Sequence, residues 1–568
     1  MGCSSSVQQG DEAERSREPS DKLSQSAYRE RGEQRNGKAN VTPKHNNNNN
    51  RHQDSFKEED EGFEEEFSDG ALGLTTEKGY EEICQSLSPN NLFEDPDFPA
   101  NDSALYLDPK RYRDSKIEWM RPQEILGDGN EAELITNGVT RDDIKQGILG
   151  DCWFLSSCAA VSRRDQLVTK IIPANQVLSG PMYNGLIRFN FWRFGEWVMV
   201  VIDDRLPTVK KKLIYGQSKD PKEFWVALME KAYAKLHGSY EALEGGITMD
   251  ALVDLTGGLA ERYELTEYDP SLYKLILRAH KSGAFIACSR KGDWRSSTKA
   301  DANGLIPGHA YTVIDITKIK HKMGEEKLLR VRNPWGDETE WRGSWSDNDV
   351  NWKWVDEETK EKIQQESKDD GEFWMSFKDF YRQFGEVTIC LMGPDFDGDG
   401  VSDRVGHMEM IHGEWSLGQS AGGSRNNLVK FATNDQYLLT LTEPDDFNQE
   451  TDDAESEGKS TIVISLMQEH RRSRRNVKVK SYQIGFFIYK TEDTNNKLSL
   501  RHFRYNPDVA RTNCFVNFRE VSGRFELDPG HYVIIPSTFL EDCPAHYMLR
   551  VFGEKKFSLK GPLLPTHE

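Results

Sequence analysis

Beyond Gly393 the chain changes character, and that change limits its architecture more than any other feature. Short apolar stretches follow one another there: Leu438-Leu439-Thr440-Leu441, Thr461 to Leu466, Ile484 to Tyr489, His531 to Ile535 and Met548 to Phe552. Turn residues separate them and no helical period intervenes, so these segments bury their apolar faces only as stacked antiparallel sheets, a β-sandwich. Upstream the period differs. Cys152 to Val161 is an apolar, helix-compatible run, followed by strand-like Leu186 to Trp192 and Trp197 to Ile202. Glu223 to Tyr233 then reads as an amphipathic helix. Strands prevail again at Phe285 to Cys288, Ala310 to Ile314 and Leu328 to Arg332. A helical block facing a β block across a cleft makes the upstream part α+β. At 568 residues the chain is too long for one core. The pattern divides it into a disordered tail at 1–78, a helix-rich lobe at 79–257, a β-rich lobe at 258–394 and the sandwich at 395–568.

The tail is polar, with Asn46 to Asn50 in a row and an acidic run from Glu58 to Glu66, and cannot bury enough apolar surface to offset its ordering entropy. Its first residues, Met1-Gly2-Cys3-Ser4-Ser5-Ser6, fit the myristoylation pattern at Gly2, with Cys3 beside it as a palmitate acceptor. Two acyl chains hold a protein on a membrane where one is marginal, so a cytoplasmic protein partly at membranes is expected, with anionic lipids among its partners. The eight cysteines include no CxxC pair and are too sparse for a disulfide scaffold, which fits reduced thiols. A net charge of −21 argues against a nucleic-acid partner and is compatible with cation binding.

The chemistry concentrates at Gln146-Gly147-Ile148-Leu149-Gly150-Asp151-Cys152-Trp153. A thiol opening a helix meets the positive end of the helix dipole, which favours the nucleophilic thiolate. The preceding amide of Gln146 is a donor suited to an oxyanion. Such a thiol needs a base, and the base needs an orienting partner. Gly308-His309-Ala310-Tyr311 supplies an imidazole at the start of a strand, and Arg332-Asn333-Pro334-Trp335-Gly336 supplies an asparagine followed by a rigid turn and a large aromatic ring. Each motif alone is weak. The order Gln-Cys-His-Asn is strong.

On these residues, and on Asp95-Pro96-Asp97-Phe98-Pro99, Asp203 to Thr208, Glu230 to Lys235 and Gly371 to Ser376, the chain resembles the calpains, calcium-dependent cysteine proteases of the papain type. The similarity covers roughly 80–560, and the Cys-Gly-Ser-Cys-Trp signature of lysosomal papain relatives is absent. The resemblance implies a papain-like two-lobed core followed by a C2-like sandwich, and a calcium-activated intracellular endopeptidase making limited cuts in protein substrates. It implies that Cys152 attacks, His309 carries the proton, Asn333 orients His309, Gln146 stabilises the oxyanion and Trp335 shields the pair, with the Gly246 and Gly308 backbones touching substrate. It also implies two Ca2+ sites: Thr136, Gly138, Asp143 and Glu223 in the first lobe, and Glu340, Asp347, Lys368, Asp370 and Glu372 in the second. Crowded carboxylates repel one another until a cation arrives, so without the ion the cleft should stand open or misaligned.

The sandwich carries an acidic loop, Glu443 to Glu457, and a basic cluster, His470 to Arg475 with Lys478 and Lys480. These either pair with each other or, with calcium on the acids, free the basic face for anionic lipid. Asp395 to Gly400 opens like an EF-hand loop, but its twelfth position is Gly406, so it reads as a linker turn. Many calpains continue into a penta-EF-hand domain; none follows Glu568, so either the type is short or the C-terminus is missing, and dimerisation through such a domain is not expected. Two other classes share part of the pattern. A transglutaminase uses a Cys-His pair with an acidic third member, where Asn333 stands here. A non-proteolytic calcium-dependent membrane adaptor would lack Cys152 or His309, and both are present.

Overall fold

The computed structural model describes residues 75–565 except 88–90, 109–115, 128, 294–298, 394–405, 448–453 and 470–480. Gly2, Cys3 and the tail to residue 74, the Asp395 to Gly400 turn, the centre of the acidic loop and the His470 to Lys480 cluster lie outside the described residues.

The helix-rich part is built on four helices, Cys152–Val161, Asp165–Ile171, Trp225–His237 and Thr248–Thr256, packed against the hairpin Leu186–Arg193/Glu196–Asp203. Trp225–His237 departs from the expected amphipathic pattern, because all thirteen of its residues are buried. Its charges are inward and satisfied. Lys231 Nζ meets Asp203 Oδ1 at 2.7 Å, Lys235 Nζ meets Asp95 Oδ2 at 2.8 Å, and Glu230 accepts from the Gly216 N–H at 3.0 Å. Burying a charge is tolerable only when it is paired and hydrogen-bonded, and here the end of strand Glu196–Asp203 and the loops at Asp95 and Gly216 supply these partners.

The next part is one six-stranded antiparallel sheet. Its strand order is Glu372–Ser376, Gly324–Arg332, Ala310–His321, Phe285–Arg290, Phe384–Leu391 and Leu259–Glu264. Helix Cys152–Val161 lies on it, with Thr312 Oγ1 donating to Ser156 O at 2.7 Å. Phe285, Ala287, Ala310 and Cys390 of the sheet belong to the same core cluster as that helix. The two parts therefore share a core, and the first residue of the helix faces the first residues of strand Ala310–His321.

From His407 the chain forms two further antiparallel sheets, of four and five strands, enclosing one apolar core that includes Trp415, Tyr437, Ile464, Phe486, Ile534 and Leu549. Two strands the sequence pattern did not expose, His407–Trp415 and Glu520–Leu527, complete the four-stranded sheet. The absence of helix expected here needs correction. Leu500–Tyr505 is a six-residue helix capped by Ser499, and it buries Phe503 against Phe431 and Tyr489.

The four-stranded sheet docks where the helix-rich part meets the six-stranded sheet. Helix Thr248–Thr256 ends at Gly257, φ +64°, where a Cβ would come within 2.8 Å of Trp192. Fully buried Arg550 donates to the carbonyls of Gly257 and Gly258 at 3.0 and 2.9 Å. Arg519 pairs with Asp254 on the helix side, and Arg524 pairs with Glu261 on the sheet side, each at 2.6 Å.

Candidate active site

Cys152 begins the helix Cys152–Val161, with Asp151 as its N-cap. His309 stands immediately before strand Ala310–His321, after Gly308 at φ +64°, and Asn333 follows strand Gly324–Arg332. Neighbouring strands thus bring His309 and Asn333 together. His309 Nε2 and Asn333 Oδ1 are 3.0 Å apart. An amide oxygen only accepts, so Nε2 carries the proton and Nδ1 is left as an acceptor. Asn333 is held in turn, its Nδ2 donating to Thr339 O at 2.9 Å and its N–H to Gly371 O at 2.8 Å. The Trp335 ring lies 5.4 Å from the His309 ring, edge-on at 60°.

Among the described residues no hydrogen bond joins the Cys152 sulfur to the His309 ring. Both groups are neutral at pH 7. Burial pushes the Cys152 thiol up to about 12, outweighing the nearby Ala310 backbone N–H, and Asp151 adds to the rise. Burial also draws His309 down to about 4, against the pull of Asn333. The helix dipole therefore does not produce a thiolate in this arrangement. With Cys152 8% exposed and His309 1% exposed, desolvation dominates. We expect alkylation of Cys152 by iodoacetamide, followed by mass spectrometry without added calcium, to keep rising with pH beyond pH 9. A thiol at about 12 instead of the usual 9.0 holds roughly 10³-fold less thiolate at neutral pH. A plateau reached below pH 7 would show an imidazolium–thiolate pair instead.

Gln146 Nε2 donates to Leu149 O at 2.8 Å and lies 3.5 Å from Asp151 Oδ1, while its Oε1 accepts from Trp335 Nε1 at 3.0 Å. This last bond ties the loop before the thiol to the turn after Asn333. Gly246 is exposed beside the Gly245 N–H to Gly150 O bond at 2.9 Å, and Gly308 is half-buried next to His309.

The nine residues implied as calcium ligands fall into two groups. In the first, the Thr136 N–H donates to Glu223 Oε1 at 2.8 Å, and Glu223 Oε2 is buried without a partner. Asn137 and Gly138 both have positive φ, 58° and 94°. Asp143 Oδ2 accepts from the Thr140 N–H at 2.7 Å. Burial, with Asp143 nearby, raises Glu223 to about 7. In the second group, Glu340 Oε1 accepts from the N–H groups of Asp370 and Gly371 at 3.1 and 2.7 Å, and Asp347 Oδ2 from that of Lys368 at 3.1 Å. Burial, with Asp347 and Asp370 adding repulsion, raises Glu340 to about 8; burial likewise raises Asp347 to about 6. Among the described residues no three His, Cys, Asp or Glu side chains converge closely enough to hold a metal ion. The expected convergence is thus not present in this conformation, because the carboxylates are spent on backbone amides and Glu372 turns elsewhere. The donor chemistry still suits a hard cation: oxygen donors, three carboxylates raised first by burial and further by a neighbouring carboxylate, and an orphaned buried oxygen on Glu223.

Glu372 faces three arginines that sequence reasoning missed. Its carboxylate meets Arg141 at 2.5 Å, Arg330 at 2.7 Å and Arg332 at 3.5 Å. Fully buried Arg332 also donates to Asp370 O and Arg141 O, both at 2.9 Å. Arg141 belongs to the loop of the first oxygen group and Glu372 to the second, so one ion-pair network joins them. The only local signal was Arg332 standing next to Asn333.

Residues 93–391 match the family described as calpain family cysteine protease, and residues 411–552 match calpain large subunit, domain III. Among curated relatives, Calpain-B of Drosophila melanogaster is 42% identical over 484 residues, which are 84% of this chain and 51% of that protein. Calpain-A of the same organism is 42% identical over 502 residues, 86% of this chain and 59% of that protein. The Calpain-2 catalytic subunit of Homo sapiens is 41% identical over 485 residues, 83% of this chain and 67% of that protein. The chain spans about half to three fifths of the length of the two fly relatives.

Proposed function

This chain belongs to the calpain family of cysteine proteases, and from that premise we propose that it is a calcium-activated endopeptidase making limited cuts in intracellular proteins. The observation that carries the reading is the His309–Asn333 pair at 3.0 Å, set beside the strand start that faces a thiol at a helix N-terminus. We read the helix-rich part and the six-stranded sheet as papain-like lobes, and the sheets from His407 as a C2-like domain.

In the reaction, His309 Nδ1 takes the Cys152 proton, and the sulfur attacks the scissile carbonyl. Asn333 keeps the Nε2 proton in place, so the ring accepts at the nitrogen facing the thiol. The Cys152 N–H and the Gln146 side chain stabilise the oxyanion, each donor contributing about 3 kcal/mol. His309 then protonates the leaving amine, and water hydrolyses the acyl-enzyme. An asparagine partner for His309 favours this reading over a transglutaminase.

Two changes separate the described conformation from that chemistry. The thiol and imidazole must come within hydrogen-bonding distance, and the Gln146 amide must turn an N–H from Leu149 O toward the oxyanion. Thr136, Gly138, Asp143 and Glu223 would hold one calcium ion, and Glu340, Asp347, Lys368 O, Asp370 and Glu372 a second. When bound, Ca2+ neutralises the carboxylates that repel one another there. Because Arg141 and Glu372 link the two oxygen groups across the lobes, a shift in either group moves the lobes relative to each other. We expect the whole chain to cleave casein with calcium present and to stop when a chelator is added. Equal cleavage in both conditions sinks the calcium switch, and no cleavage in either sinks the protease assignment.

A further inference from the structure

Two acids lie buried together under the catalytic loop, and the mechanism above uses neither. Asp151 is 0% exposed and Glu230 is 1% exposed. The loop carrying Gln146 is pressed onto residues 214–216. The Ile148 N–H donates to Ile214 O at 3.0 Å, and a Cβ at Gly147 would overlap Tyr215 O. Beneath that segment, Glu230 presents both carboxyl oxygens to the Gly216 N–H, each at 3.0 Å. Asp151 and Glu230 are within side-chain hydrogen-bonding reach of each other. Yet Asp151 Oδ2 is buried and receives no N–H or O–H from any described residue.

An orphaned carboxylate oxygen beside a second buried carboxyl group has a simple resolution. Two anions this close cannot both persist without a cation, and one proton between them satisfies the orphan. Burial raises both acids, Asp151 to about 6 against the lowering effect of its hydrogen bond with Glu230, and Glu230 well above its usual range with Asp151 adding to the rise, so the proton resides on Glu230. The other oxygen of Asp151, Oδ1, faces Gln146 Nε2 at 3.5 Å.

Resting on the protease reading, we propose that Glu230 is a positioning residue: held as the neutral acid, it donates its proton to Asp151 Oδ2, and through Asp151 Oδ1 it fixes the Gln146 amide that serves the oxyanion. Glutamine at 230 keeps both a donor for Asp151 and an acceptor for Gly216. Leucine keeps neither and leaves Asp151 without a donor.

The test combines turnover of a fluorogenic peptide with calcium and an infrared difference spectrum of the full chain at neutral pH. E230Q is expected to keep kcat and KM within about twofold of the parent. E230L is expected to lower kcat at least about tenfold while KM stays within about twofold, part of the 10²–10³ loss that follows removal of an oxyanion donor. The parent-minus-E230Q spectrum is expected to show the C=O stretch of one protonated carboxylic acid, a signature a merely structural role would not produce. Parent kcat in E230L, E230Q as impaired as E230L, or no carboxylic-acid band would each overturn the proposal. If E230L does not fold, E230Q and the infrared band decide it. A parent without turnover overturns the protease reading and the positioning role with it, while the infrared band still decides the shared proton separately.

Discussion

Replacing Cys152 with alanine should abolish peptide cleavage by this chain while leaving its unfolding midpoint within a degree or two of the parent. Among the described residues of the same helix, no second nucleophile is free to replace it. Cys158, a turn and a half along the same helix, is buried, and burial pushes its thiol well up. Ser156 and Ser157 spend their hydroxyls on Trp153 O. Removing a nucleophile that acts as a unit with its base costs on the order of 10⁴- to 10⁶-fold in kcat. The structural cost is small because the sulfur makes no hydrogen bond to His309, and alanine retains the helix start. The measurement is kcat/KM on an unstructured peptide with calcium, beside thermal unfolding of both proteins. Cleavage by Cys152→Ala at more than about 1% of the parent rate would place the nucleophile elsewhere.

Asp254→Ala should be the most damaging single change for stability. The carboxylate is fully buried and serves three donors from three elements: Arg519 Nη1 at 2.6 Å, Tyr233 OH at 2.8 Å and Arg193 Nη1 at 3.2 Å. Arg519 comes from the edge of the four-stranded sheet and Arg193 from the helix-rich part, so this one group joins the two. Without it, both buried guanidinium groups lose their common anion; Arg519 keeps Asp250, with Nε to Oδ1 at 3.4 Å. Removing one partner of a buried ion pair typically costs about 3–5 kcal/mol, chiefly because it leaves charge uncompensated in a desolvated site. The expected result is a lower first unfolding transition in urea and faster proteolytic separation of the C-terminal sheets from the rest. Asp254→Ala/Arg519→Ala should be less damaging than the sum of its single changes, because one of the two orphaned charges is gone and only Arg193 remains. A shift below about 1 kcal/mol for Asp254→Ala would mean that the neighbours re-pair and the network is dispensable.

Much of the architecture was legible because it rests on local periods. The alternating runs at Thr461 to Leu466 and Ile484 to Tyr489 lie within strands Ser460–Gln468 and Ile484–Lys490. The apolar run from Cys152 to Val161 is the buried helix of the same bounds. Strand His407–Trp415 escaped notice because His407, Glu409, His412 and Glu414 break up its apolar pattern, and Gly413 lies against Tyr547. Helix Trp225–His237 misled in the other direction. Lys231 and Lys235 look like a solvated face until Asp203 and Asp95, distant in sequence, are seen to receive them.

The sequence alone singled out a thiol at a helix start, an imidazole before a strand and an amide to hold it, because these motifs are short and their chemistry is local to each residue. The oxygen-rich segments expected to hold calcium came from the resemblance to the calpains and from no local pattern. Tertiary structure alone decided the protonation of the thiol and imidazole, the turn of Glu372 toward Arg141, Arg330 and Arg332, and the pairing of Asp151 with Glu230. The physical reason is that burial and Coulomb interactions depend on which distant segments come to surround a group, and no period or motif around that group records them.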